Sequence, residues 1–228
     1  MLTNSNHPDF ISELIRSVAL NYEWNDYVPV YKKTEVQSYL ITEISGRYQV
    51  NSDRFIEIYQ KDDQLLFKNI LAEEPVELIK ISDSTYVTRD DSRLYKFALD
   101  SESEIINMIT FNSNDGKILS TFTKMDHSTK IPLQFLLEGN FAEAMNAYRA
   151  LLKQDPKNPA LSEDSFNNMG YDLLSRTKTK LAQDIFKVNM MLYPNSFNVY
   201  DSYTEACMKM SEIDLAIKNY TKSISLNP

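Results

Sequence analysis

Three strings of the sequence end on a proline: FAEAMNAYRALLKQDP at 141–156, TKLAQDIFKVNMMLYP at 179–194 and IDLAIKNYTKSISLNP at 213–228. Set on those prolines, Ala144, Tyr148 and Pro156 fall in register with Ala182, Phe186 and Pro194, and again with Ala216, Tyr220 and Pro228. The second step is 34 residues at all three positions; the first is 38, which places about four inserted residues near 158–162. The residue types suit a helix that packs on others. A small alanine lets a neighbouring helix approach, and an aromatic four residues on shares its face. Proline ends the helix because the residue before it avoids the α region. A repeat of this length decides a fold more firmly than local propensity does.

The period is that of the tetratricopeptide (TPR) unit, two helices per repeat. Gly139 and Phe141 stand where the turn between helices A and B belongs, and Met169-Gly170 takes the Leu-Gly position of helix A. The alignment predicts helices over about 128–138 and 141–154, 163–175 and 179–192, and 197–209 and 213–225. In such an array the A helices line a concave face. The usual inward positions are Asn167, Tyr171, Asn198, Asp201 and Glu205, a polar set suited to a protein or peptide partner. In the first repeat the same positions give Thr129, Leu133, Leu136 and Leu137. Apolar side chains there need a cover, and Tyr22, Trp24, Tyr27 and Tyr31 of the 22–31 stretch are the expected one. The string ends at Pro228 with no polar capping helix. A solenoid end normally carries one, so a fragment, or a homodimer through the uncapped last repeat, is expected.

Upstream of this array the period changes. Residues 44–125 read as seven or eight short strands, near 46–50, 54–59, 64–68, 76–81, 85–88, 94–99, 105–111 and 117–123. Turn chemistry separates them, as in Lys61-Asp62-Asp63 and Asn114-Asp115-Gly116. Spacing of this kind fits a small antiparallel barrel or sandwich. Residues 1–43 read as an N-terminal helix over 9–22, capped by Asp9 with Phe10, Leu14 and Val18 on one stripe, and an extended linker. The fold class is therefore α+β, in three parts: 1–43, a β domain over 44–125 and three TPR-like repeats over 126–228. A small barrel can also hold a ligand. The alternative reading is a small-molecule sensor domain with a cavity lined by Phe55, Ile58 and Phe97.

Composition excludes several classes. The chain has 228 residues and a net charge of −8, with no basic stripe, which argues against nucleic-acid binding. No stretch reaches the roughly 18 apolar residues needed for membrane insertion. The first ten residues lack an apolar core, so no signal peptide is expected. Cys207 is the single cysteine, so there is neither an internal disulfide nor a thiolate zinc site. His7 and His127 are the only histidines and stand far apart in sequence. Asp62-Asp63, Glu73-Glu74 and Asp90-Asp91 are adjacent carboxylates in turns, which are ordinarily solvated. No catalytic residue, metal or cofactor is expected from these patterns.

Two longer strings go beyond a generic repeat: Asn167-Asn168-Met169-Gly170-Tyr171-Asp172-Leu173-Leu174, and 185–189 followed by 193–202. They resemble the C-terminal tail of bacterial serine hydrolases related to β-lactamases and penicillin-binding proteins. In that family a catalytic domain is followed by a small β domain and TPR-like helices. Tyr22-Glu23-Trp24 and Gly46-Arg47-Tyr48 resemble the junction and the opening strand of that β domain. The resemblance implies a non-catalytic accessory part, a serine hydrolase domain as partner in the same parent chain, and a periplasmic or secreted setting. The catalytic domain itself has no room here. A Ser-x-x-Lys motif occurs once, at Ser175–Lys178, at the end of a predicted helix A; the family nucleophile begins its helix.

Overall fold

The structure, a computed structural model, describes residues 14, 15, 17–19, 21–24, 33, 34, 36, 38–88, 93–113 and 115–227. The chain divides into two compact units, Met1–Tyr48 with Ile56–Met125, and Gln49–Phe55 with Asp126–Pro228.

A short helix, α1 (Ser38–Ile44), precedes the strands β1 (Gly46–Asn51), β2 (Arg54–Lys61), β3 (Gln64–Asn69), β4 (Val76–Lys80), β5 (Tyr86–Thr88), β6 (Arg93–Leu99), β7 (Ile106–Asn112) and β8 (Ile118–Lys124), all in the first unit except for residues 49–51 of β1 and 54–55 of β2. They form a closed barrel in sequence order, so of the two architectures read from the strand spacing the barrel holds. From β2 to β8 each strand pairs antiparallel with the next, as in Lys61↔Gln64 and Leu99↔Ile106. The β2–β3 turn places both Asp62 and Asp63 at positive φ, 48° and 61°. That twist matches the strands it joins, which is why two-residue hairpins favour it. Tyr48, Ile58, Leu78, Val87 and Met108 are buried. The Phe97 ring lies 5.5 Å from that of Tyr48 and 5.3 Å from that of Tyr86. A cleft of about 420 Å³ elsewhere in this unit is lined by Lys33, Ile41, Leu65, Glu77 and Lys80 among others, and not by Phe55, Ile58 or Phe97.

Toward the N-terminus, residues 14, 15, 17–19 and 21 are helical, while Asp9, Phe10 and Ile11 lie outside the described residues. The reading of 1–43 as helix plus extended linker needs correction at its end, where α1 begins at Ser38. Tyr22 and Trp24 are 68% and 51% exposed; Tyr27 and Tyr31 lie outside the described residues.

The second unit carries six helices: α2 (Pro132–Leu137), α3 (Phe141–Gln154), α4 (Glu163–Ser175), α5 (Thr179–Leu192), α6 (Phe197–Lys209) and α7 (Ile213–Leu226). They pair as three hairpins, and the sequence repeat is visible in backbone detail. At the hairpin turns Gly139, Thr177 and Ser211, one repeat step apart, all have positive φ (78°, 59° and 62°). The following amides of Asn140, Lys178 and Glu212 each reach back five residues, to the carbonyls of Phe135, Leu173 and Cys207, at 2.7, 2.9 and 2.9 Å. This is the Schellman closure, in which a left-handed residue lets the last helical carbonyls be satisfied. Ala144, Ala182 and Ala216 are buried at 0%, 0% and 4% exposure. Asn189 and Ser223, also one step apart, donate to the first-residue carbonyls of α4 and α6, Glu163 at 3.0 Å and Phe197 at 2.9 Å. The insertion of the first step is a 3-10 turn, Pro159–Leu161, whose Leu161 is buried.

Two features of this unit depart from the sequence reading. Helix α2 begins at Pro132 and not near 128, because Ile131 before the proline is held extended (φ −92°, ψ 158°). Residues 49–55, assigned from sequence to the β domain, group with the helices. Asp53 ties this segment to the helices. One carboxylate oxygen accepts from the Leu133 amide in the first turn of α2, at 2.9 Å, and the other from Tyr148 Oη of α3, also at 2.9 Å. Ile131 offers no cap side chain of its own, so a residue 80 positions away supplies the acceptor. Burial raises the Asp53 pKa to about 7, against the lowering pull of Arg54, Tyr148 and Leu133. Leu133 and Leu136 are buried, whereas Leu137 is 47% exposed.

Candidate partner-binding face

Helices α4 and α6 bring the sequence-predicted site residues onto neighbouring A-helix positions. Helix α4 is set by Ser162, whose Oγ accepts from the Ser165 amide at 3.2 Å, and by Glu163 and Asp164 in its first turn, where acids favour the helix dipole. Its buried stripe is Phe166, Met169, Gly170 and Leu173. Gly170 is required by packing: a Cβ there would collide with the Phe186 ring of α5. The close approach sets Tyr171 edge-on to the same ring, centroids 5.1 Å apart. On α6, Val199, Ser202, Tyr203, Ala206 and Cys207 point inward, leaving Asn198, Asp201 and Glu205 on the adjoining edge at helical spacing.

The residues are not equally free. Ser202 Oγ donates to Asn167 Oδ1 at 2.6 Å, and Tyr171 Oη donates to Ser202 Oγ at 3.4 Å. Glu163 Oε1 accepts from Ser196 Oγ at 2.7 Å and from Asn198 Nδ2 at 3.4 Å. Asn167 and Asn198 therefore belong to a floor of hydrogen bonds that joins α4 to α6. Tyr171, Asp201 and Glu205 stand exposed above it. Burial pushes the Tyr171 phenol up, and the charges of Glu205 and Asp201 push the same way against the Ser202 hydrogen bond. Glu205 also meets Lys209 at 3.9 Å, an exposed pair worth little by itself. Chemically the face offers acceptors and an aromatic edge.

Ser202 and Glu163 were absent from the sequence-derived set. The i, i+4 spacing of Asn198 and Ser202 is a signal for the first. The second needs the α4–α6 packing before its role can be seen. In the first hairpin, Thr129 precedes α2 and is exposed, so that repeat contributes no polar floor of this kind. The Ser175–Lys178 motif forms the α4–α5 turn. Ser175 Oγ donates to the Asp172 carbonyl of its own helix at 2.7 Å, and Thr177 is the left-handed residue of the closure. Among the described residues no helix is long and apolar enough to cross a membrane.

No family model matches the chain, and no curated protein does. A solved structure titled "MamA MSR-1 C2" is similar at 18% identity, over 42% of this chain and 53% of that one, with a TM-score of 0.29. The chain thus spans about half the length of that protein, and a likeness at this level carries no functional weight here.

Proposed function

We propose that the chain is a non-catalytic interaction module whose helical unit is a TPR-type array that holds a protein partner against the A-helix face of α4 and α6. The observation that carries this reading is the division of labour on that face. Asn167, Ser202, Asn198 and Glu163 are spent on holding the helices together, while Tyr171, Asp201 and Glu205 are left at the surface. A half-exposed tyrosine on a rigid floor is the kind of anchor that interfaces favour. The three exposed groups are acceptors and an aromatic edge, so the partner segment is expected to carry lysine or arginine. The packing of Phe97 between Tyr48 and Tyr86 supports a structural role for the barrel over a ligand sensor.

The resemblance of 167–174 and 185–202 to serine hydrolase tails supports a finer reading, in which the partner is a β-lactamase-like hydrolase domain. The turn geometry at Ser175 supports a non-catalytic chain, since its hydroxyl is bonded within its own helix. The test is capture from a cell extract with wild-type chain beside Tyr171→Ala and Asp201→Lys. A partner retained by wild type and lost by both variants supports the face. Equal capture by all three, or none by wild type, contradicts it. Covalent labelling by a β-lactam that disappears in Ser175→Ala would contradict the non-catalytic part alone.

A further inference from the structure

The barrel is packed at its centre and open at one end. Directly paired residues share a face of a sheet, and so do alternate residues of a strand. The pairings Gln60↔Leu65, Ile58↔Phe67 and Phe67↔Val76 therefore put Gln60, Leu65, Leu78 and Lys80 on one face. That face is the interior, because Phe67 of β3 and Tyr95 of β6, on strands that are not neighbours, bring their rings to 5.4 Å. Lys80 ends β4 beside the β2–β3 turn, so Gln60, Leu65, Leu78 and Lys80 lie at one mouth of the barrel. There, with Ile41 of α1, they line the cleft of about 420 Å³. Small-molecule sites have volumes of roughly 300–1,000 Å³, and barrel mouths are a common place for them.

The charges of the cleft decide what it takes. Glu77 Oε1 accepts from Lys33 Nζ at 2.6 Å, so these two neutralise each other. The Thr34 amide and hydroxyl both donate to the Lys80 carbonyl, at 2.9 and 3.2 Å, and are spent on holding residue 34 to the end of β4. Asp63 is exposed in its turn, where solvent screens its charge. Lys80 differs from these: among the described charged residues that line the cleft it is the buried one, at 7% exposure. An ammonium withdrawn from water gains most from a counter-charge that shares its enclosure. Ile41, Leu65 and Leu78 supply an apolar wall beside it. We propose that this mouth binds a small organic monoanion, a carboxylate whose head meets Lys80 Nζ and whose apolar body lies on that wall. The site is apart from the packed centre at Phe97 and independent of the α4–α6 face.

The test is an amide NMR titration of the full chain with three probes of one length: hexanoate, hexan-1-ol and hexylamine. Hexanoate is expected to shift the amides of Leu65, Leu78 and Lys80 saturably. Hexan-1-ol is expected to bind at least about 10-fold more weakly, the worth of one charge-assisted contact, and hexylamine more weakly still. Lys80→Met keeps the stem without the charge and is expected to lower hexanoate affinity to that of hexan-1-ol. Asp63→Asn removes a like charge from the rim and is expected to tighten hexanoate binding. Ile41→Trp, at a half-buried position of α1, is expected to fill the cleft and abolish binding of both hexanoate and hexan-1-ol; this variant carries the test if Lys80→Met does not fold. No saturable shift by hexanoate at millimolar concentration, equal binding of hexylamine, weaker hexanoate binding in Asp63→Asn, or hexanoate binding indifferent to Lys80→Met or to Ile41→Trp would overturn the proposal.

Discussion

The second and third hairpins share a backbone and differ in what their aromatic residue meets. Phe186 of α5 and Tyr220 of α7 stand one repeat apart, yet the first is 0% exposed and the second 52%. Their turns close through the same hydrogen bond, and their alanines are buried alike. The local code of the repeat thus fixes the hairpin, while burial of the outer face depends on the next helix. This is the nearest-neighbour logic of repeat proteins.

The largest break in the comparison comes from truncating the aromatics. Phe186→Ala leaves a cavity in a closed core and is expected to cost roughly 3–5 kcal/mol. Tyr220→Ala, at a half-exposed ring, is expected to cost under about 1 kcal/mol. Urea unfolding of the two variants checks the pair, and equal losses would mean that α7 is as enclosed as α5.

The close contacts come next. Ala182→Leu at a fully buried position, and Gly170→Ala against the Phe186 ring, are each expected to cost roughly 1–3 kcal/mol by overpacking. The Gly170 case opposes helix propensity, which by itself favours alanine by about 1 kcal/mol. A stabilised Gly170→Ala would show that the ring has room to move.

The first hairpin departs from the others through Asp53. Its folded pKa, about 7, lies above the usual 3.8. Between those values the folded state holds a proton that the unfolded chain has released, so stability is highest below about pH 4 on this account and falls as pH rises to about 7. The loss is on the order of a few kcal/mol. Asp53→Asn keeps an acceptor for the Leu133 amide and cannot ionise. The wild-type minus variant difference in unfolding free energy, followed from pH 4 to 8, is expected to trace this fall. A flat difference would mean that the carboxylate is better solvated than its burial indicates.

The smallest effect lies in the turns. Gly139 already carries the left-handed position of the first hairpin, whereas Thr177 and Ser211 carry it with a Cβ. Thr177→Gly and Ser211→Gly are each expected to stabilise by about 0.5–1 kcal/mol, read as a rise in Tm; a fall would mean that their side chains contribute more than the strain.

Much of this fold is legible in the sequence, for identifiable reasons. The helices of 141–226 follow from the spacing of Ala, aromatic and Pro, and the strands of the barrel from alternation bounded by turn residues. The rest depends on distant partners or on a single local rule. Asp53 caps α2 across 80 residues, and no local pattern announces it. Pro132 does announce the late start of α2, through the residue before it. Helix α1 has only seven residues, too few for a helical period to stand out. Of the site, Asn167, Tyr171, Asn198, Asp201 and Glu205 follow from repeat register, but register does not tell structural hydrogen bonds from free groups. Ser202, which links Asn167 to Tyr171, shows that only once α4 and α6 are side by side.

The comparison between hairpins is tested most directly by native-state hydrogen exchange on the full chain. Amides of α5 are expected to exchange only through global unfolding, and those of α7 through a smaller local opening of lower free energy. Equal protection of the two helices would contradict the account, because it would mean that the third hairpin needs no neighbour to complete it.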